Sequence, residues 1–247
     1  MYRDNVLLTN SQVERIMRPP AKQRISTLTA EQLLGPLNDV ERKYAPARLY
    51  AAGPMQIPLP RPRAAIIGSR KASENGLRVA AEISKTLAKK KVIIVSGLAE
   101  GIDTVGHRAA IDAGGKTVAV LGTPLDQVYP KKNALLQEEI MKSHLAVSQF
   151  AVGYPIQRQN FVTRNRTMAL IANASIIVEA GETSGSLHQG WETLRLGRPL
   201  FIWTDLLKSS LNWPKRMLRY GAFELTNPEQ VLDVLPSAER ILIKIAR

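Results

Sequence analysis

Three stretches of the chain carry residues whose types and spacing suit the holding of a phosphate and a nucleobase. In "AAIIGSRKASENG" (64–76), Gly68, Ser69 and Arg70 follow an apolar run. A strand, a turn of small residues and a helix outline a phosphate-binding turn, with backbone N–H groups as a cradle and Arg70 to neutralise charge. Glycines stand only at Gly68 and Gly76, so the three closely spaced glycines of a dinucleotide fingerprint are missing. In "QRQNFVTRNRTMA" (157–169), Arg158, Arg164 and Arg166 surround Phe161, and Asn165 lies between two of the arginines. Such a pattern suits single-stranded nucleic acid: the ring stacks on a base, for about 1–3 kcal/mol, while guanidinium groups hold phosphates. The alternative is a core phenylalanine with arginines paired to surface carboxylates.

The third group is spread over "SGLAEGIDTVGH" (96–107), "GTPLDQVYPKKN" (122–133) and "EAGETSGSLHQG" (179–190). Ser96, Gly97 and Gly101 either line a phosphate pocket or allow a tight strand-to-helix turn, and Asp103 belongs to that pocket or caps the helix, two compatible roles. His107, one turn further on, is expected to hold a loop by hydrogen bonding. Gly122 joins the same strand-end set. Ser184, Gly185 and Ser186 offer hydroxyls and N–H groups to an anion, or cap the helix that follows.

The elements that must position these residues are legible as alternation. Apolar runs at 64–68, 92–97, 117–122, 146–150, 175–180 and 199–203 alternate with helical stretches near 103–114, 131–142, 164–173 and 185–197, the pattern of βαβ units. Between the first two runs a helix is expected to bury Leu77, Ala80, Ala81, Leu87 and Ala88. In an open sheet of this kind ligands bind beyond the carboxyl ends of the strands, where these turns fall. The expected fold is α/β: an extended Rossmann-like, doubly wound, mostly parallel sheet with a small N-terminal helical appendage. Residues 1–43 are read as that appendage, 44–236 as the main domain and 237–247 as a C-terminal helix stub, with the proline-rich segment 45–63 as an extended connection.

Composition narrows the chemistry. Lys and Arg number 34 against 21 Asp and Glu, a net charge of +13 that favours a polyanionic partner. The absence of cysteine excludes disulfides, thiolate metal sites and a cysteine nucleophile, and the three scattered histidines give no metal cluster. No metal and no cofactor are expected. With no apolar run of membrane-span length and no signal-like N-terminus, the expected location is the cytoplasm, away from membranes. No Gly-x-Ser-x-Gly elbow points to serine catalysis.

Taken in order, "IIGSR", "VSGLAEGIDTVGH", "VAVLGTPLDQVYPKKN", "FVTRNRTMALIA", "SIIVEAGETSGSL" and "LGRPLF" resemble the DNA-processing protein A family, also called Smf, known for bacterial transformation. The resemblance runs from about Tyr44 to Pro236. It implies a non-catalytic protein that binds single-stranded DNA, dimerises, protects the strand and delivers it to a RecA-type recombinase, here in a short form without the C-terminal winged-helix domain of longer members. It places the basic pocket on Gly68, Ser69 and Arg70, phosphate and base contacts on Phe161, Arg164 and Arg166, and a further basic contact on Arg158. Thr123 and Pro124 depart from the usual Gly-Ser-Gly-Leu-Asp, and His188-Gln189-Gly190 from the usual Ile-Thr-Ala. Two other readings stand beside it. One is an enzyme similar to the lonely-guy phosphoribohydrolases, whose paired carboxylates would fall on His188 and Gln189, with Glu192 one turn too far on. The other is a sensor of a small nucleotide signal, bound in the same strand-end pocket.

Overall fold

The structure, a computed structural model, describes residues 24–236. The stub at 237–247 and residues 1–23 of the appendage lie outside the described residues. Nine strands form one sheet in the order β1-β2-β6-β5-β4-β3-β7-β8-β9. These are β1 (Ser26–Leu28), β2 (Leu49–Ala52), β3 (Arg63–Gly68), β4 (Ile93–Ser96), β5 (Thr117–Leu121), β6 (Leu145–Ser148), β7 (Ala174–Glu179), β8 (Leu200–Trp203) and β9 (Phe223–Leu225). From β6 across to β9 every neighbour is parallel, whereas β2 runs antiparallel to both β6 and β1. The six expected apolar runs are β3 to β8, and the strand order reverses between β3 and β7, the place where a doubly wound sheet opens a crevice.

Runs apolar at every position read as strands because both faces of this sheet are covered. Along β3, Ala65 and Ile67 enter one core with Val95, Val120, Val147 and Ile177, while Ala64 and Ile66 enter the opposite core with Ile94, Ile176 and Val178. The first core is roofed by α6 (Arg158–Ile171) through Met168 and Ile171, and α7 (Ser186–Arg195) packs beside it. The second is roofed by α3 (Glu74–Lys89) through Val79, Ile83 and Leu87. On that side α4 (Ile102–Asp112) packs against α3, and α5 (Ala134–Ser143) covers β5 and β6. The buried stripe of α3 centres on Val79, Ile83 and Leu87, with Leu77 and Ala81 half-buried, because the helix rests on α4 as well as on the sheet.

The expected border at residue 44 is not a structural one over the described residues. Short helices α1 (Ala30–Leu34) and α2 (Asp39–Tyr44) are both closed by capping boxes, from Thr29 with Gln32 and from Asn38 with Glu41. Leu33 and Leu34 lie in the same core as β3, and β1 is the sheet's edge strand. Glu41 also forms an ion pair with Arg198 at 2.5 Å, both side chains nearly buried. The proline-rich connection likewise contains a strand, β2, pinned against β6 by Tyr50 opposite Ser148. Helix α6 starts six residues earlier than expected, at Arg158 instead of 164. Beyond β8, the chain continues through α8 (Thr204–Leu207) and α9 (Trp213–Arg219) to β9 and α10 (Gln230–Val234).

Candidate nucleic-acid interface

At the carboxyl ends of β3, β4 and β5 an open cleft is lined by Arg70, Gly97, Ala99, Glu100, Tyr129, Pro130, Phe161 and Arg164. Phe161 reaches it because Arg158, Phe161, Arg164 and Asn165 share one side of α6, three or four residues apart. The ring rests on Gly122, where a Cβ would lie 2.6 Å from Phe161 Cδ1. Around it stand the Arg70 guanidinium, 5.7 Å from the ring centroid, and Tyr129, whose ring lies 5.2 Å away at 50°. One cation and two aromatic rings therefore meet at one opening, the chemistry needed to stack a planar base and neutralise its phosphate. Glu100, an anion at the rim, is countered by Lys132 Nζ at 3.4 Å.

Arg164 is 5% exposed and builds the floor. Its Nη1 donates to the carbonyls of Gly97 and of Val120, the latter at 2.8 Å, and its Nε donates to Asn165 Oδ1 at 2.9 Å. Asn165 passes the link on, donating to the Gly185 carbonyl at 3.0 Å. The other side of Gly97 is held by Asp103, whose carboxylate accepts from Gly97 N at 3.1 Å and Ala99 N at 3.4 Å. Gly97 is thus gripped at its N–H by an anion and at its carbonyl by a cation, and a Cβ there would overlap the guanidinium. Burial pushes the Asp103 carboxyl up, against the Arg164 charge and the backbone donors that favour ionisation. Burial likewise pushes Arg164 down, against the pull of Asp103.

Several expected roles come out differently. Asp103 is the second residue of α4, whose N-cap is Gly101 at φ +78°, so its carboxylate turns back to the loop instead of capping the helix. Part of the backbone cradle expected at Gly68–Arg70 is taken up within the chain. Ser69 N donates to the Glu179 carbonyl at 2.7 Å, and Lys71 N donates to Ser69 Oγ at 3.2 Å. The Glu179 carboxylate itself accepts from Ser73 N at 3.0 Å and from Ser73 Oγ at 2.5 Å. It closes the start of α3, where a dinucleotide fold would seat its pyrophosphate. Arg70 remains exposed beside that turn.

Ser96 is fully buried and donates to the Ile66 carbonyl at 2.6 Å, tying β4 to β3. Arg166 leaves the cleft for the α7 side, 3.2 Å from Glu192, because it lies on a different side of α6 from Phe161. Arg158 stands exposed at the first turn of α6. Ser184 and Ser186 bond each other at 2.6 Å around Gly185, joined to the floor only through Asn165. His107 is buried with Nδ1 at 2.6 Å from Thr117 Oγ1, a structural contact as expected, though to the start of β5 instead of to a loop. Sequence reasoning missed Tyr129 and Glu179. The first had a signal in the Tyr-Pro of the 122–133 turn, and the second had none.

Among the described residues no group of three or more His, Cys, Asp or Glu side chains is placed to hold a metal, and no helix is long and apolar enough to cross a membrane. A family model described as DNA recombination-mediator protein A matches residues 30–236. The chain belongs to this family. The DNA recombination-mediator match begins inside the segment expected as an appendage, in agreement with α1 packing on the sheet. The DNA processing protein DprA of Streptococcus pneumoniae is 36% identical over 189 residues, covering 76% of this chain and 66% of that protein. The chain thus spans about two thirds of the length of this curated relative. The solved structure of S. pneumoniae DNA processing protein A superposes with a TM-score of 0.73 at 29% identity, over 93% of this chain and 79% of that one. DNA processing protein A from Helicobacter pylori, described for its single-stranded DNA binding mode, shares the fold with a TM-score of 0.70 at 24% identity, over 86% of this chain and 95% of that one. The doubly wound, mostly parallel sheet is therefore the fold of family members as well as the expectation from alternation.

Proposed function

We propose that this chain binds single-stranded DNA without catalysing a reaction, shelters the strand, and delivers it to a RecA-type recombinase. In this reading it works as a cytoplasmic homodimer with no cofactor. The observation that carries the reading is the meeting of Arg70, Phe161 and Tyr129 at the carboxyl edge of the sheet in a chain of net charge +13. Arg70 neutralises a phosphate, and the rings take a base. Arg158 extends the positive surface along α6, and Arg164 sets the floor's shape.

The state of the remaining groups supports binding over chemistry. Gln189 is fully buried, donating to Ser175 Oγ at 3.5 Å, and the Glu192 carboxylate is held between Arg166 and Arg195. Neither offers a free acid or base to the cleft. The closure of α3 by Glu179 speaks against a small nucleotide seated by its phosphates at that turn.

Anisotropy titration of single- and double-stranded oligonucleotides tests the reading. Single strands of any sequence bind more tightly, and log affinity falls with log salt by about 0.7 per phosphate neutralised. Arg70→Ala weakens all of them about equally. Equal affinity for duplex, or an Arg70→Ala protein that binds as the parent does, would refute it. Light scattering reports the dimer, and strand-exchange assays with a recombinase report delivery.

A further inference from the structure

An apolar surface continues from the cleft along two neighbouring loops. Val128, Tyr129, Val152, Tyr154, Ile156 and Val162 are exposed, Tyr129 at 45%, Tyr154 at 44% and Val152 at 60%. Gln127 Nε2 joins the loops by donating to the Tyr154 carbonyl at 3.5 Å, and Asn160 Nδ2 of α6 holds the second loop by donating to the Pro155 carbonyl at 3.0 Å. The Tyr154 ring is propped on Phe150 at 5.2 Å, and its N–H donates to the Ala151 carbonyl at 3.0 Å, so the loop presents the ring in a set position. Large side chains exposed in such number next to a binding cleft mark a contact surface.

We propose that Tyr129 and Tyr154 are successive base-stacking residues, and that a single strand leaving the cleft runs over the 151–157 loop. The proposal rests on the reading of the cleft as a single-stranded DNA site. Two observations choose nucleobases over a protein face as the occupant. From Phe150 to Arg166 the chain contains no acidic residue, and Arg158 stands exposed at the start of α6, a charge beside the loop that suits a polyanion. The exposed rings also continue directly from the guanidinium-bearing opening, since Tyr129 both lines the cleft and contacts Phe161. Phe161 is half-buried over Gly122, which makes it the support and Tyr129 the more open face.

The test uses the whole chain and labelled oligothymidylates of about 4 and about 20 nucleotides, lengths that bracket common single-strand site sizes. Tyr154→Ser is expected to weaken the long oligomer about tenfold, the loss of one stacked base, while the short one is unaffected. Tyr129→Ser is expected to weaken both. Each leaves the salt slope unchanged, because no phosphate contact is lost, and Tyr154→Phe and Tyr129→Phe restore binding. Thermal melts confirm that each variant is folded. Long-oligomer affinity unchanged in both serine variants, with Arg70→Ala still impaired, overturns this inference and leaves the cleft reading standing. A serine variant that dissociates an oligomer in light scattering while binding DNA normally assigns the patch to a protein contact and also overturns it. If the parent protein binds neither oligomer, the cleft reading itself falls.

Discussion

Replacing Arg164 by methionine removes a guanidinium of similar length to the new side chain and leaves its acceptors in place. The Gly97 and Val120 carbonyls and Asn165 Oδ1 each lose a donor, and Asp103 loses its nearest compensating charge. A buried polar group left without its partner costs about 1–3 kcal/mol, and breaking one side of a buried charge pair costs about 3–5 kcal/mol. Relaxation and water entry make these overlap, so the expected loss is about 3–5 kcal/mol, a large share of the roughly 5–15 kcal/mol typical of a domain. Urea unfolding followed by circular dichroism measures it. Without Arg164 the folded-state pKa of Asp103 rises further. A group whose folded pKa is raised stabilises at low pH and loses that stability as pH rises, so the deficit of the variant shrinks on acidification. Asp103→Asn in the methionine background supplies a neutral partner and is expected to recover part of the loss, a non-additivity that a double-mutant cycle reads directly. Under conditions where the variant is fully folded, the salt slope of DNA binding is unchanged. A loss below about 1 kcal/mol, as for a surface pair, or a salt slope reduced by about 0.7, as for a lost phosphate contact, would refute the clamp.

Three further outcomes follow from the same structure. Burial holds His107 at about pKa 3, below its unfolded value, so the folded chain keeps it neutral while the unfolded chain takes up a proton as pH falls below about 6.5. Its contribution is present above that pH and lost below it, about 2 kcal/mol by pH 5, and the difference in unfolding free energy between the parent and His107→Asn across pH 5–8 isolates it. Gly122→Ala pushes Phe161 from its seat and is expected to lower single-strand affinity about fivefold in anisotropy titrations, with no added effect in a Phe161→Ala background. Arg166→Ala, which loses the pair with Glu192 outside the cleft, leaves the salt slope of binding as it was; a slope smaller by about 0.7 would return Arg166 to the DNA site.

How legible these features were depends on what each one rests on. Strands β3 to β8 could be read because a parallel sheet covered on both faces needs continuous apolar runs, and Ala64 to Ile67 supply one for each core. Strands β1 and β2 are three and four residues long, and β2 lies in a proline-rich stretch, so the pairing of β1 with β2 and of β2 with β6 outweighs weak local signals. The first turns of α6, "RQNFVT", carry no apolar stripe, since this part of the helix faces the cleft instead of the core. Arg70 and Phe161 were legible as chemistry at a strand end and in a basic segment. Glu179 was not, because its effect comes from the β3–β7 pairing that sets it opposite Gly68.

Arg164 shows why residue type alone does not separate a ligand contact from a structural one. The carbonyls of Gly97 and Val120 lie just beyond Ser96 and Ala119, the last pair of the β4–β5 ladder, where the cleft begins. Buried there, they need a donor, and a hydrophobic side chain has none. A guanidinium has five N–H groups in a fixed fork, so one side chain on α6 reaches two carbonyls and an amide at once. The same charge is then balanced by Asp103 on the far side of Gly97, and the pair fixes the floor on which Phe161 and Tyr129 are presented. The bonds that complete the sheet edge are therefore the bonds that shape the opening, and stability and binding geometry at this edge cannot be altered independently through Arg164.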